Sequence, residues 1–227
     1  MTIVIFIVVI LALVFGPSIW VTRVLDKYSV PADRYSGSGS QLARHLLDRN
    51  GLQSVGVEPT EVGDHYDPEA KVVRLTNDKF DGHSLTAITV AAHEVGHALQ
   101  DHQGYTPLKM RTRLVKATRG IEKIGAGVLM ISPFLGIITR APYVGLLTFG
   151  AGMLTLGTAA LVHFITLPTE FNASFARALP LLDDNSILKD GDKRHAHKLL
   201  TAAALTYVSA SLMSILNIAR WLAILRR

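Results

Sequence analysis

The 227-residue chain contains no cysteine, and only 18% of its residues are charged. The absence of cysteine excludes disulfide bonds, thiolate metal sites and cysteine nucleophiles, so any metal must be held by histidine and carboxylate side chains. A typical soluble domain carries about 25% charged residues. Because 49% of this chain is hydrophobic, its composition excludes intrinsic disorder and indicates contact with a membrane.

The hydrophobic residues are concentrated in four blocks that lack Asp, Glu, Lys and Arg: residues 1–22, 124–139, 141–169 and 199–219. About twenty apolar residues span a bilayer core, so the first, third and fourth blocks predict transmembrane helices. The second block is shorter and predicts either a span or a tight hairpin with the third. The first block lacks the basic start and the small-residue cleavage site of a signal peptide, which predicts a retained anchor.

The formal net charge is +5, and cations cluster directly before the second block, at Lys109, Arg111, Arg113, Lys116, Arg119 and Lys123. A basic run beside an apolar block predicts contact with anionic lipid on the cytoplasmic face. Aromatic residues do not alternate with these cations as they do in proteins that stack bases, so no nucleic-acid partner is expected. The distribution of cations places the polar regions, and any active site in them, in the cytoplasm.

These patterns predict a mainly α membrane protein of about four transmembrane helices with a small cytoplasmic α+β domain. The predicted parts are an N-terminal transmembrane helix at 1–22, the cytoplasmic domain at 23–123, a transmembrane hairpin at 124–169, a cytoplasmic segment at 170–198 and a C-terminal transmembrane helix at 199–225. Within the domain, a helix is predicted from Ser40 to Gly51 and short strands at 54–58 and 71–76.

The segment His93-Glu94-Val95-Gly96-His97 carries the pattern H-E-x-x-H. It lies in a stretch from Ser84 to Gly104 whose apolar spacing and serine start predict a buried helix. Histidines at positions i and i+4 lie one turn apart on one helical face, so both imidazoles can bind one metal ion. The glutamate between them is placed to act as a general base. The pattern predicts one zinc or similar divalent ion per chain.

The third metal ligand must come from another segment. The metzincin motif would place a glycine and a third histidine where this chain has Gln100 and Gln103. Glu170 is the strongest candidate, because it directly follows the third apolar block and an acid beside a bilayer needs a partner or a function. Glu122 and His102 are alternative ligands. In the non-functional interpretation, Glu170 only stabilises the start of a helix.

The sequence resembles the YugP-type bacterial membrane zinc metallopeptidases. The resemblance rests on residues 36–52, 64–68, 73–76, 90–100 and 167–174, and it covers about residues 24–225. The chain is more distantly similar to the HtpX-like membrane proteases, in which a downstream glutamate is the third ligand. The resemblance implies a zincin-like domain of the gluzincin type, zinc on His93, His97 and Glu170, and catalysis by Glu94. The family often has an acid two places after the ligand glutamate, where this chain has Asn172.

Peptide hydrolysis at such a site also needs a hydrogen-bond donor for the developing oxyanion. The candidates, each of which also has a purely structural interpretation, are His163, Arg177, Tyr66 and the pair His195 and His197. A further hypothesis is that the strand containing Val72, Val73, Arg74 and Leu75 pairs as an edge strand with extended substrate backbone.

The predicted function is a zinc endopeptidase of the bacterial plasma membrane that hydrolyses membrane or membrane-proximal proteins, with Glu94 as the general base for a metal-activated water. The alternative is a non-proteolytic metal-binding adaptor or chaperone, which the presence of Glu94 disfavours. A transporter is disfavoured because His163 is the only histidine or charged residue within the apolar blocks. The expected partners are polypeptide substrates, lipid and a possible second copy of the chain.

Overall fold

The computed structural model of the protein describes residues 2–184 and 187–206, and for some helical residues, including Glu122 and His163, it describes the backbone only. The described chain divides into two units. The larger unit comprises Pro17–Lys109 and Leu167–Thr206. The smaller unit comprises residues 2–16 and 110–166.

Helices dominate both units. The α-helices are α1 (Thr2–Tyr28), α2 (Gly39–Arg49), α3 (Asn77–Phe80), α4 (Leu85–His102), α5 (Thr106–Ile138), α6 (Pro142–Phe171) and α7 (Leu179–Asp184). A π-helix, Asn172–Ala178, joins α6 to α7, and residues 193–206 are also helical. The three strands are β1 (Gly56–Thr60), β2 (His65–Asp67) and β3 (Val72–Thr76).

No helix within the described residues is both long enough and apolar enough to cross a membrane. The prediction of about four transmembrane helices is therefore wrong for this part of the chain. The helix boundaries also differ from those of the apolar blocks: α1 continues through Arg23 and Lys27, α5 begins before the first cation of the basic cluster, and α6 extends through Glu170. Residues 207–219 of the fourth block lie outside the described residues.

Capping residues set the starts of the two helices that form the centre of the larger unit. Ser38 caps α2 and exchanges hydrogen bonds with Gln41 in a capping box, so this helix begins two residues earlier than a cap at the serine in position 40 would give. Ser84 caps α4 by accepting a hydrogen bond from the backbone N–H of Ala87, which confirms the predicted start of that helix. All residues from Leu85 to Gln100 are buried, so α4 runs through the core of the larger unit.

The sheet has the strand order β1-β3-β2, in which β3 pairs in parallel with β1 and antiparallel with β2. The hypothesis of an edge strand at Val72, Val73, Arg74 and Leu75 needs correction. These residues belong to the central strand, and residues 72–74 are paired on both sides, so their backbone has no free edge for a substrate. The sequence patterns also missed β2, which has only three residues.

A buried carboxylate attaches the helix at 193–206 to the loop before α2. Arg34 donates two hydrogen bonds to Asp192, of 2.6 and 2.7 Å, and the hydroxyl of Tyr35 donates a third, of 2.6 Å. Burial by itself raises the pKa of Asp192, but these hydrogen bonds outweigh burial and lower the pKa below its usual value. Burial and the bond to Asp192 raise the pKa of Tyr35 to about 12, so its hydroxyl stays a donor at neutral pH.

In the smaller unit, α5 and α6 form an antiparallel pair joined by a short turn at Arg140. The two helices approach closely at glycines. A Cβ atom on Gly145 would lie 3.0 Å from the carbonyl oxygen of Ser132, and one on Gly152 would lie 2.6 Å from the side chain of Leu129. Small residues therefore bring these two helices together, as the glycine-rich sequence of both segments indicates.

Candidate metal centre

Helix α4 carries two imidazoles on one face. His93 and His97 are four residues apart, each is about 4% exposed, and their ring centroids are 4.9 Å apart. Glu94 lies between them in sequence and is also buried. The neighbouring apolar residues of the same helix are also buried, so both imidazoles are shielded from solvent.

The third side chain comes from the end of α6. Glu170 is fully buried, and its Oε2 atom lies 3.3 Å from Nε2 of His93 and 3.2 Å from Nε2 of His97. The ligand atoms of the three residues all lie within 4.8 Å of one another. Two ligand atoms of a tetrahedral zinc site are about 3.4 Å apart, given bond lengths of about 2.1 Å. The distances from the carboxylate to both imidazoles match that spacing.

A side-chain amide determines which ring nitrogen of His97 faces the metal site. The Nδ1 atom of His97 lies 2.9 Å from Oε1 of Gln100. The other end of this amide donates hydrogen bonds to the backbone carbonyl of Thr169, at 2.8 Å, and to Oδ1 of Asn172, at 2.9 Å. These two acceptors orient the amide, so its oxygen faces the ring. Since an amide oxygen can only accept, Nδ1 of His97 carries a proton, and Nε2 is the ring nitrogen that faces Glu170.

A hydroxyl group accepts a hydrogen bond from the ring of His93 in the same way. The Oγ atom of Ser174 lies 3.0 Å from Nδ1 of His93 and donates its own hydrogen to the carbonyl oxygen of Leu200 at 3.1 Å. The hydroxyl hydrogen is therefore used, and Oγ accepts from the Nδ1–H group. The Nε2 atoms of both imidazoles face the same carboxylate oxygen.

This donor set fits a divalent cation. Both Nε2 atoms lie 3.2–3.3 Å from one buried carboxylate oxygen, a spacing at which either a shared proton or a metal ion offsets the negative charge. If both imidazoles were protonated instead, one carboxylate would face two buried cations, and the excess charge would cost several kcal/mol. Two histidines and one carboxylate without thiolate form a known ligand set for zinc.

Close contact between α4 and the π-helix brings the three ligands together. A Cβ atom on Gly96 would lie 2.7 Å from the backbone carbonyl oxygen of Ala173. Glycine at this position of the H-E-x-x-H segment therefore lets the backbone of the π-helix lie against α4. Glu170 and Ser174, on either side of this contact in sequence, then reach the two imidazoles. π-Helical turns occur frequently at functional sites.

The structure places the proposed oxyanion donors in other interactions. Tyr66 donates to Oδ2 of Asp101 at 2.7 Å, and burial together with this bond raises its pKa. Arg177 donates to Asn172 and, at 2.8 Å, to Gln103, and burial lowers its pKa. These hydrogen bonds involve none of the three ligands. Of the histidine candidates, His163 has its side chain outside the described residues, and His195 and His197 are exposed and lie against the rings of Tyr28 and Phe175.

Sequence reasoning missed Gln100 and Ser174. The sequence pattern singles out Gln100 only as the residue at the glycine position of the metzincin motif. It includes Ser174 only within residues 167–174, which resemble the YugP-type family. A spacing signal exists for both, since Gln100 follows His97 by three residues and Ser174 follows Glu170 by four. Of the alternative ligands, His102 is exposed at the end of α4, and the side chain of Glu122 lies outside the description.

Comparison with known proteins agrees with the class of site that this geometry defines. The chain belongs to a family described as "putative neutral zinc metallopeptidase", whose model matches residues 2–226, and the predicted resemblance is confirmed. It is 35% identical over 215 residues to "putative membrane protease YugP" of Bacillus subtilis, a match that covers 92% of each chain. No solved structure matches.

The close contact at Gly96 makes a testable prediction. In a Gly96→Ala variant, the added methyl group meets a backbone carbonyl that cannot rotate away, so the π-helix must shift and carry Glu170 with it. Overpacking of this kind costs about 1–3 kcal/mol of stability, and we expect weaker zinc binding in equilibrium dialysis.

The matched control is Gly127→Ala in α5, where the added Cβ atom meets nothing within 4 Å. Alanine is the better helix former, so this variant is expected to be neutral or slightly stabilised, with unchanged zinc binding. Equal zinc affinity of the Gly96→Ala variant and the unmodified protein would contradict the account.

Proposed function

We propose that this protein is a zinc-dependent endopeptidase in which His93, His97 and Glu170 hold one zinc ion. The observation that carries the proposal is the approach of both imidazole Nε2 atoms to one buried carboxylate oxygen, at 3.2–3.3 Å. The family membership supports zinc and peptidase chemistry. The name of the Bacillus relative, a putative membrane protease, supports proteolysis at a membrane.

The bound metal would supply Lewis acidity, which polarises a peptide carbonyl and lowers the pKa of a water molecule towards 7. Glu94 is the base that accepts the proton of the attacking water and returns it to the leaving amine. Glu94 directly follows His93 on α4 and is buried, so its carboxylate is shielded from bulk water. A metal-binding adaptor would have no use for a second buried acid at this position.

Replacement of Glu94 tests the proposal. The Glu94→Gln side chain has nearly the same shape but cannot take a proton, so we expect about one zinc per chain to remain bound. Loss of a general base lowers catalysis by about 10²- to 10⁴-fold, which casein cleavage would measure alongside metal analysis. The matched control is Glu61→Gln, at an exposed position. Casein cleavage by the Glu94→Gln variant at the rate of the control would refute the peptidase assignment.

A lipid surface is the second partner that we propose, besides polypeptide substrates. Several large apolar side chains of α5 and α6 are 69–76% exposed: Ile137, Ile138, Leu146, Leu147 and Leu154. Exposed apolar side chains grouped in this way are typical of contact sites. Lys109, Arg113 and Lys116 are also exposed on α5, and their spacing places them on one face of the helix. Such a face attracts anionic lipid.

Each cation near an anionic surface contributes about 1 kcal/mol to binding. We therefore expect replacement of Lys109, Arg113 and Lys116 by glutamine to weaken binding to phosphatidylglycerol vesicles by about 100-fold. Vesicle flotation would measure this. A control with the same loss of charge replaces the exposed cations Lys193, Arg194 and Lys198. Equal binding by both triple variants would contradict a specific lipid-binding face.

A further inference from the structure

We propose that Gln100 and Ser174 are positioning residues that hold the two imidazoles of the proposed zinc site in a single tautomer and orientation. The inference rests on the proposed metal site but not on the peptidase activity. Each acts through one histidine, Gln100 through His97 and Ser174 through His93.

Both acceptors are neutral and fully buried, with no exposed surface on either side chain. Their own hydrogens are already used, those of Gln100 by Thr169 and Asn172 and that of Ser174 by Leu200. Each can therefore only accept at the imidazole, and no bulk water competes for the Nδ1–H group. The alternative tautomer, with the proton on Nε2, would leave Nδ1 facing an oxygen lone pair. The surroundings thus favour the tautomer that leaves Nε2 able to bind a metal.

The same short segment supplies the third ligand and orients the other two. Thr169 and Asn172 flank Glu170, and their carbonyl oxygens hold the amide of Gln100. Ser174, four residues after the carboxylate, holds His93. The position of this segment is therefore linked to all three ligands, and its displacement would release both imidazoles as well as remove the carboxylate.

Arg177 extends this arrangement towards the surface. Its guanidinium donates to Oδ1 of Asn172, the same atom that accepts from Gln100. A second bond of 2.8 Å to Gln103 and the ring of Tyr105 at 5.2 Å hold the guanidinium in place. Because two donors share Oδ1, the amide of Asn172 is oriented with its oxygen towards Gln100. Arg177 is thus a positioning residue that acts through Asn172.

The test compares zinc affinity in the full-length chain with Ser174→Ala and Gln100→Leu substitutions. Loss of a hydrogen-bond partner of a metal-binding histidine weakens metal binding by about 10- to 100-fold, and we expect each variant to show a rise of that size in the zinc dissociation constant. The matched control is Thr86→Val, which removes a buried hydroxyl on α4 that donates to the carbonyl oxygen of Leu25 at 2.7 Å. It should lower thermal stability without changing zinc affinity.

A second measurement separates positioning from a loss of packing. Nitrogen-15 NMR of labelled histidines in the zinc-free protein reports which ring nitrogen carries the proton. We expect Nδ1–H for both rings in the unmodified protein, and a shift of His93 towards Nε2–H in Ser174→Ala alone. If Gln100→Leu does not fold, the protonated ring nitrogen of His93 in Ser174→Ala tests the positioning role by itself.

Two results would overturn the inference: unchanged zinc affinity and unchanged tautomers in the variants, or an equal loss of affinity in Thr86→Val. Neither depends on proteolysis, so failure of the positioning role is distinguishable from failure of the peptidase assignment. An inactive but tightly zinc-binding protein would leave the positioning role intact.

Discussion

The candidate site depends on one close approach of two backbones. Gly96 lacks a side chain, and the carbonyl of Ala173 occupies the space that a Cβ atom would need. This contact brings the end of α6 and the π-helix against the face of α4 that carries the imidazoles. A carboxylate buried in this way costs several kcal/mol unless a cation compensates it. Binding of the proposed metal would therefore be coupled to the folding of this part of the chain.

Interactions far from the ligands keep this arrangement in place. Ser84 fixes the start of α4. The buried Asp192, held by Arg34 and Tyr35, anchors the helix at 193–206. That helix provides the carbonyl of Leu200, which takes the hydrogen of Ser174 and thereby leaves its oxygen free to accept from an imidazole. Side chains from well-separated parts of the larger unit thus determine how the site presents its lone pairs.

The sequence predicted the parts of this arrangement that depend on local periodicity. Spacing along one helix is enough to place His93 and His97 on one face, and the serine at position 84 is enough to start that helix. Tertiary contacts decide the rest. The contacts of Gln100 and Ser174 form only where two segments about seventy residues apart meet. In the same way, β3 is a central strand because it pairs with both β1 and β2, which the spacing of its residues does not reveal. The transmembrane prediction rested on the length and composition of the apolar blocks alone, and no helix among the described residues meets the requirement for a span.

The most direct test of the central claim is the zinc content of three single variants after identical purification. If the carboxylate at position 170 completes the ligand set, Glu170→Ala should lose most of its zinc, because two imidazoles alone hold the ion weakly. Glu122→Ala and His102→Ala should each keep about one zinc per chain, as expected for a single site. Full zinc occupancy in Glu170→Ala, with loss of zinc in either of the other two, would contradict the account.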